Sequence, residues 1–198
     1  MENERLWVMS RKLAGILIFI ASLQFVLAMT ISEALYPDYS VSENYISDLG
    51  DYSKAKSVAY IFNSSVFLLG LLVLVAAYFI QRAFNYKVFS FCLILTGIGA
   101  MGVGLFPENF AVPYLHMIVS FITFFFGAIS AIVSYKLQKS PLSYLAVVLG
   151  LLSLISLALF GLGIYLGLGV GGMERMIAYP TLLWALGFGG HLIGSSES

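Results

Sequence analysis

Six stretches of this chain are long and apolar enough to cross a hydrocarbon layer, and little remains between them. One crossing needs roughly 20 mostly apolar residues. Such runs fall at about 13–31, 57–80, 88–106, 114–135, 143–168 and 176–194. Charged residues make up 10% of the chain, where soluble domains carry about 25%, so the polar surface of a soluble particle is missing. The runs are continuous and lack the period-2 alternation of membrane β-strands, which are about 10 residues long. The expected fold is therefore all-α: one polytopic six-helix bundle over 1–198. Turn chemistry separates the spans at Tyr36-Pro37-Asp38, Gln81-Arg82, Phe106-Pro107-Glu108-Asn109 and Lys139-Ser140-Pro141, with a break at Gly171-Gly172.

The first span follows basic residues, as a secretion signal does. Its apolar core exceeds the about 7–15 residues of a signal h-region, and no small-residue cleavage site follows, so it is read as an uncleaved helix. Orientation comes from lysine and arginine. Arg5, Arg11, Lys12, Arg82, Lys87, Lys136 and Lys139 share one side with Glu2, Glu4 and Glu197. Lys54, Lys56 and Arg175 share the other with Glu33, Asp38, Glu43, Asp48, Asp51, Glu108 and Glu174. Both termini are expected in the cytoplasm, with multi-pass insertion in the cell membrane. The longest connection, about 32–56, carries Tyr36, Tyr39, Tyr45 and Tyr52 and reads as an outward lid.

Ten basic and ten acidic residues cancel, so nothing points to nucleic acid; membrane lipids are the expected partners. A single cysteine, Cys92, excludes an internal disulfide or a multi-cysteine metal site. No cofactor is implied and no metal site is assigned. Helices in lipid associate through small residues. Gly163/Gly167, Gly190/Gly194, Ala100/Gly104 and Gly127/Ala131 have that spacing. They are expected to pack the bundle, or to form a homodimer face.

Ionisable and polar groups at membrane depth mark candidate sites, and here they gather on the outer side. One stretch is Ser47-Asp48-Leu49-Gly50. A second is Phe106-Pro107-Glu108-Asn109, followed by His116 just after Pro113, which is suited to open a helix. A third is Gly172-Met173-Glu174-Arg175, followed by Tyr179-Pro180. His116, Glu108 and Asp48 are the candidate catalytic groups, since a neutral imidazole beside carboxylates can act as a general base or a metal ligand. Arg175, Glu174, Asn63 and Tyr179 are the candidate ligand contacts. Structural alternatives stand beside each. Asp48 suits a cap, and Glu108 with Asn109 suits the tight loop after Pro107. Glu174 and Arg175 suit an ion pair, His116 a bond to a lid carbonyl, and Asn63 and Gln24 interhelical glue. His191, near the end of the last span, reads as interfacial.

These stretches resemble the six-helix membrane family numbered 998 in the domain-of-unknown-function series. The resemblance rests on Tyr45-Ile46-Ser47-Asp48-Leu49-Gly50, Ile61-Phe62-Asn63 with Gly70, Gly104-Leu105-Phe106-Pro107-Glu108, His116, Glu174-Arg175 and Tyr179-Pro180. It implies six helices with polar motifs on the outer side and supplies no activity. The layout is also distantly similar to the Frag1/DRAM/Sfk1 group.

Three functions fit. The first is binding of a lipid headgroup or small amphiphile in an outward polar pocket, with Arg175 on a phosphate or carboxylate. The second is hydrolysis or transfer on a lipid-linked substrate, using His116 with an outer carboxylate; no G-x-S-x-G nucleophile motif accompanies it. The third is transport by a small homo-oligomer, although the inner halves of the spans offer almost no polar route. A purely structural subunit remains beside these.

Overall fold

Backbone amides in hydrocarbon must be satisfied within their own segment, which leaves helices as the solution for runs like these. The computed structural model describes residues 2–195; Glu197 lies outside the described residues, as do the side chains of Glu2, Glu4 and Pro113. It contains α1 (Glu2–Leu35), a 3₁₀ turn (Ser47–Gly50), the one-turn α2 (Tyr52–Ala55), α3 (Val58–Phe84), α4 (Lys87–Leu105), α5 (Pro113–Val133), a second 3₁₀ turn (Ser134–Leu137), α6 (Leu142–Gly161) and α7 (Gly169–Gly194). Six of these helices are long and apolar enough to span a membrane. At about 1.5 Å per residue, α1 is longer than the hydrocarbon is thick and carries Arg5, Arg11 and Lys12 at its free end.

Each long helix packs on its chain neighbour, and α7 closes the ring onto α1. Both termini lie at one end, where the Arg11 guanidinium donates to the Ser195 carbonyl at 3.2 Å. Ile18, Phe89, Trp184, Phe188 and Leu192 fill the half near the termini. Phe25, Met29, Phe62 and Leu182 fill the opposite, distal half, together with Ile46 and Leu49 from the first loop.

Close approach is set by glycines facing each other across helix pairs. A Cβ on Gly70 would stand 2.5 Å from the Gly97 carbonyl oxygen, and one on Gly97 would stand 2.8 Å from that of Gly70. Gly15 and Gly189 meet in the same reciprocal way, at 2.8 Å. Gly150 brings α6 onto α5, where its Cβ would lie 2.7 Å from the Ala128 carbonyl.

The expected small-residue pairs fare differently. Gly104 does pack, against Asn63 and Phe67, but Gly190 and Gly194 face open space. Gly163 and Gly167 are not in a helix at all: α6 ends at Gly161, short of the expected 168. Positive φ at Gly163, Leu166, Gly167 and Gly169 turns the chain there. The turn is apolar, so composition alone did not mark it. Gly171-Gly172 in turn is no break, because α7 begins at Gly169 rather than near 176. The glycine at 171 is required by the first loop, whose Asn44 carbonyl oxygen would stand 2.0 Å from a Cβ there. The Gly171 amide donates to the Ser42 carbonyl at 3.0 Å.

Pro180 lies inside α7 and withdraws one amide from its ladder. Nearby, the Ser153 hydroxyl of α6 donates to the Ile177 carbonyl at 2.7 Å.

Candidate functional site

The first loop crosses the distal end of the ring and is held there by buried polar groups. The Arg175 guanidinium, rising from the first turns of α7, donates to Glu33 of α1 at 2.5 Å and to the Tyr39 hydroxyl at 2.6 Å. It also donates to the carbonyls of Val41 at 3.1 Å and Gly171 at 2.9 Å. Tyr39 passes the connection on, donating to the Tyr45 carbonyl at 3.1 Å. Burial, partly opposed by Arg175, pushes the Tyr39 phenol up to about 12.

A second anchor is Asp48 in the 3₁₀ turn. Its carboxylate accepts the Tyr45 amide at 2.9 Å and pairs with Lys54. Lys54 also reaches Asp51 at 3.6 Å and Glu108 at 3.5 Å. The bond to Asp48 holds the Lys54 ammonium above its ordinary range, burial opposing and Glu108 adding. Burial pushes Glu108 up, with Lys54 opposing and Asp48 adding. At Asp51, burial alone would raise the carboxyl, but hydrogen bonds from Ser53 and the charge of Lys54 bring it below its usual value. Asn63 of α3 donates to the Gly50 carbonyl at 2.9 Å, joining α3 to this turn.

Beneath the lid lie two adjoining cavities. The larger, about 450 Å³, lies between the lid, α5, α6 and α7. Its polar lining is Tyr45, Ser47, Glu108, His116, Ser120 and Glu174; its apolar lining includes Met117, Phe121, Phe124, Leu157 and Phe160. Ser47, His116, Ser120, Phe124 and Glu174 also line the smaller, about 110 Å³, which continues into the ring toward Ala185. On the outer side the larger cavity is bordered by Met117 and Phe121, 60% and 52% exposed. Helices α5 and α6 touch closely at Gly150, and the cavity occupies the distal part of the same pair, between Phe121 and Leu157.

Two groups at the boundary between polar and apolar lining are held by backbone partners. The Phe106 carbonyl can only accept, so His116 donates to it from Nδ1, at 2.8 Å. Neutral His116 then presents Nε2 as an acceptor, 3.3 Å from the Ser120 hydroxyl one turn further along α5. Glu174, 7% exposed, accepts the Ile46 amide at 2.5 Å through Oε2. Among the described residues no other donor meets this carboxylate.

The structure thus gathers His116, Glu108 and Glu174 around one cavity. Asp48, Asn63, Arg175 and Tyr179 do not line it. Glu174 and Arg175 are not each other's partners, since Arg175 pairs with Glu33. His116 bonds the carbonyl that opens the second polar stretch, that of Phe106, and not one in the lid. Ser120, Tyr45 and Ser47 were missed as lining groups. Ser47 and Tyr45 stand in the first polar stretch and the lid, and Ser120 follows His116 by four residues, on the same helix face. Among the described residues no three His, Cys, Asp or Glu side chains are grouped to hold a metal ion.

Six apolar helices closed in a ring, with a lid over an internal cavity, define a multi-pass membrane protein. Its sequence places it further: the chain belongs to the family described as protein of unknown function (DUF998), whose model matches residues 19–191. No curated protein and no solved structure matches it.

Proposed function

We propose that this protein lies in the cell membrane with its termini in the cytoplasm and binds one lipid headgroup or small amphiphile in its outward half. The observation that carries this reading is the larger cavity, whose lining passes from Glu108, Glu174 and His116 to Phe121, Leu157 and Phe160. That gradient matches a molecule with a polar head and an apolar tail. The volume of about 450 Å³ falls in the range of roughly 300–1,000 Å³ usual for ligand sites. Entry is sideways, past Met117 and Phe121, so a membrane molecule reaches the site without crossing water. The basic residues near the termini support the orientation.

A photoactivatable long-chain amphiphile incorporated in nanodiscs tests the reading. Crosslinks should concentrate on peptides bearing Met117, Phe121, Leu157 and Phe160. Labelling spread evenly over every lipid-facing helix would contradict it.

A second reading, acyl transfer or hydrolysis on a lipid-linked substrate, draws on the His116–Ser120 pair. Here Nε2 is the candidate base and the Phe106 carbonyl fixes the ring. Turnover of a lipid ester that survives His116→Ala would remove that role.

A further inference from the structure

We propose that the head accepted by this cavity is cationic, a primary amine or other donor-bearing ammonium, rather than a phosphate or carboxylate. The inference rests on the amphiphile-binding reading and names the chemistry of its polar end. Of the side chains lining the larger cavity, Glu108, Glu174, His116 and Tyr45 are charged or titratable, and no lysine or arginine joins them. His116 has committed its Nδ1 proton to the Phe106 carbonyl, so in its neutral form it offers an acceptor. Tyr45, Ser47 and Ser120 bring hydroxyls that both give and accept. The polar end is therefore rich in acceptors and poor in obligate donors.

The second observation is Glu174. A carboxylate has about four acceptor positions, and the Ile46 amide is the one donor it meets among the described residues. Burying a carboxylate with so few partners is costly unless something else donates to it. An ammonium, with three N–H donors and no acceptor, complements Glu174, Glu108 and His116 Nε2 together.

The two cations nearby do not supply that charge. Arg175 is occupied by Glu33, Tyr39 and the carbonyls of Val41 and Gly171, and Lys54 pairs with Asp48 and reaches Glu108 at 3.5 Å from outside the lining. Neither lines the cavity. An anionic head in the same place would meet Glu174, which pairs with no cation among the described residues, and Glu108, whose one cation, Lys54, is shared with Asp48.

The test is competition in phosphatidylcholine nanodiscs at pH 7. A diazirine-bearing long-chain alcohol is the photoprobe, and dodecylamine, dodecanol and dodecyl phosphate are the competitors. Dodecylamine should displace the probe from the α5–α6 peptides at about tenfold lower concentration than either other compound, the difference expected of one charge-assisted contact. In Glu174→Gln, which keeps an acceptor for the Ile46 amide, that preference should shrink toward parity. Glu108→Gln, at the better-exposed rim, should weaken it independently and serves if the first variant folds poorly.

Displacement led by dodecyl phosphate or dodecanol would overturn the cationic assignment while leaving the cavity as an amphiphile site. A preference for dodecylamine unchanged in both glutamine variants would also overturn it. Failure of the probe to label α5 and α6 at all would defeat the binding reading itself.

Discussion

Glu174 of α7 accepts the backbone amide of Ile46 at 2.5 Å, across 128 positions of sequence. One carboxylate therefore both ties the lid to the ring and forms the wall of the cavity beneath it. Glu174→Ala should release the lid and leave the buried Ile46 amide unpaired, at a cost of about 1–3 kcal/mol. Glu174→Gln should retain most of that stability. Thermal unfolding of the two variants in the same detergent separates the roles; equal losses would show that charge, not the bond to Ile46, holds the lid.

Arg175 is the second tie, joining the lid to α7 and to Glu33 of α1. Arg175→Met strands Glu33 and removes donors from the Val41 and Gly171 carbonyls. Breaking a buried ion pair by removing one partner costs about 3–5 kcal/mol, with the lower figure expected because Glu33 is partly exposed. Adding Glu33→Gln should recover part of that loss. Limited proteolysis within 36–46 reads the effect, and resistance equal to wild type would refute it.

Glycine pairs predict where the ring tolerates bulk. Gly70→Ala pushes its new methyl against the Gly97 carbonyl, and overpacking of this kind costs about 1–3 kcal/mol. Gly190→Ala meets open space and should change the melting temperature little. If both behave alike, the helix pairing is wrong.

The lid should loosen at both extremes of pH. Asp51 is held below its ordinary value of 3.8, so its contribution is complete above that value and is lost as pH falls through the lower folded one. Lys54 is held above 10.5; its contribution is complete below that value and disappears as pH rises through the folded one. Glu108 runs the other way, because burial raises it above 4.5. Its charged form is disfavoured in the fold, so its contribution is complete below 4.5 and declines as pH rises. Hydrogen exchange in 44–56 measures the sum. Asp51→Asn should blunt the acid response and Lys54→Gln the alkaline one.

The six spans were legible because apolar length is the constraint lipid imposes. Their ends were less so. The run 162–168 looks like helix by composition, and positive φ at Gly163, Leu166 and Gly167 turns it into a loop. The reverse holds for Gly171-Gly172, which reads as a break but lies within α7, with Gly171 packed against the lid. At the site, the three polar stretches were correctly assigned to one end of the bundle, because loop order alternates sides. Which of their side chains face inward was not available. Glu174 and Arg175 are adjacent residues on a helix and so point about 100° apart, one into the cavity and one toward Glu33 and the lid. Local sequence could not tell which.

Gly161 offers the most direct test, since it lines the larger cavity and a Cβ there would meet nothing within 4 Å. Gly161→Trp should fill the cavity without disturbing the ring. Native mass spectrometry of gently solubilised wild-type protein should show a discrete amphiphile-sized adduct, absent from Gly161→Trp at unchanged melting temperature. The same adduct on both proteins, or none on the wild type, would contradict the account.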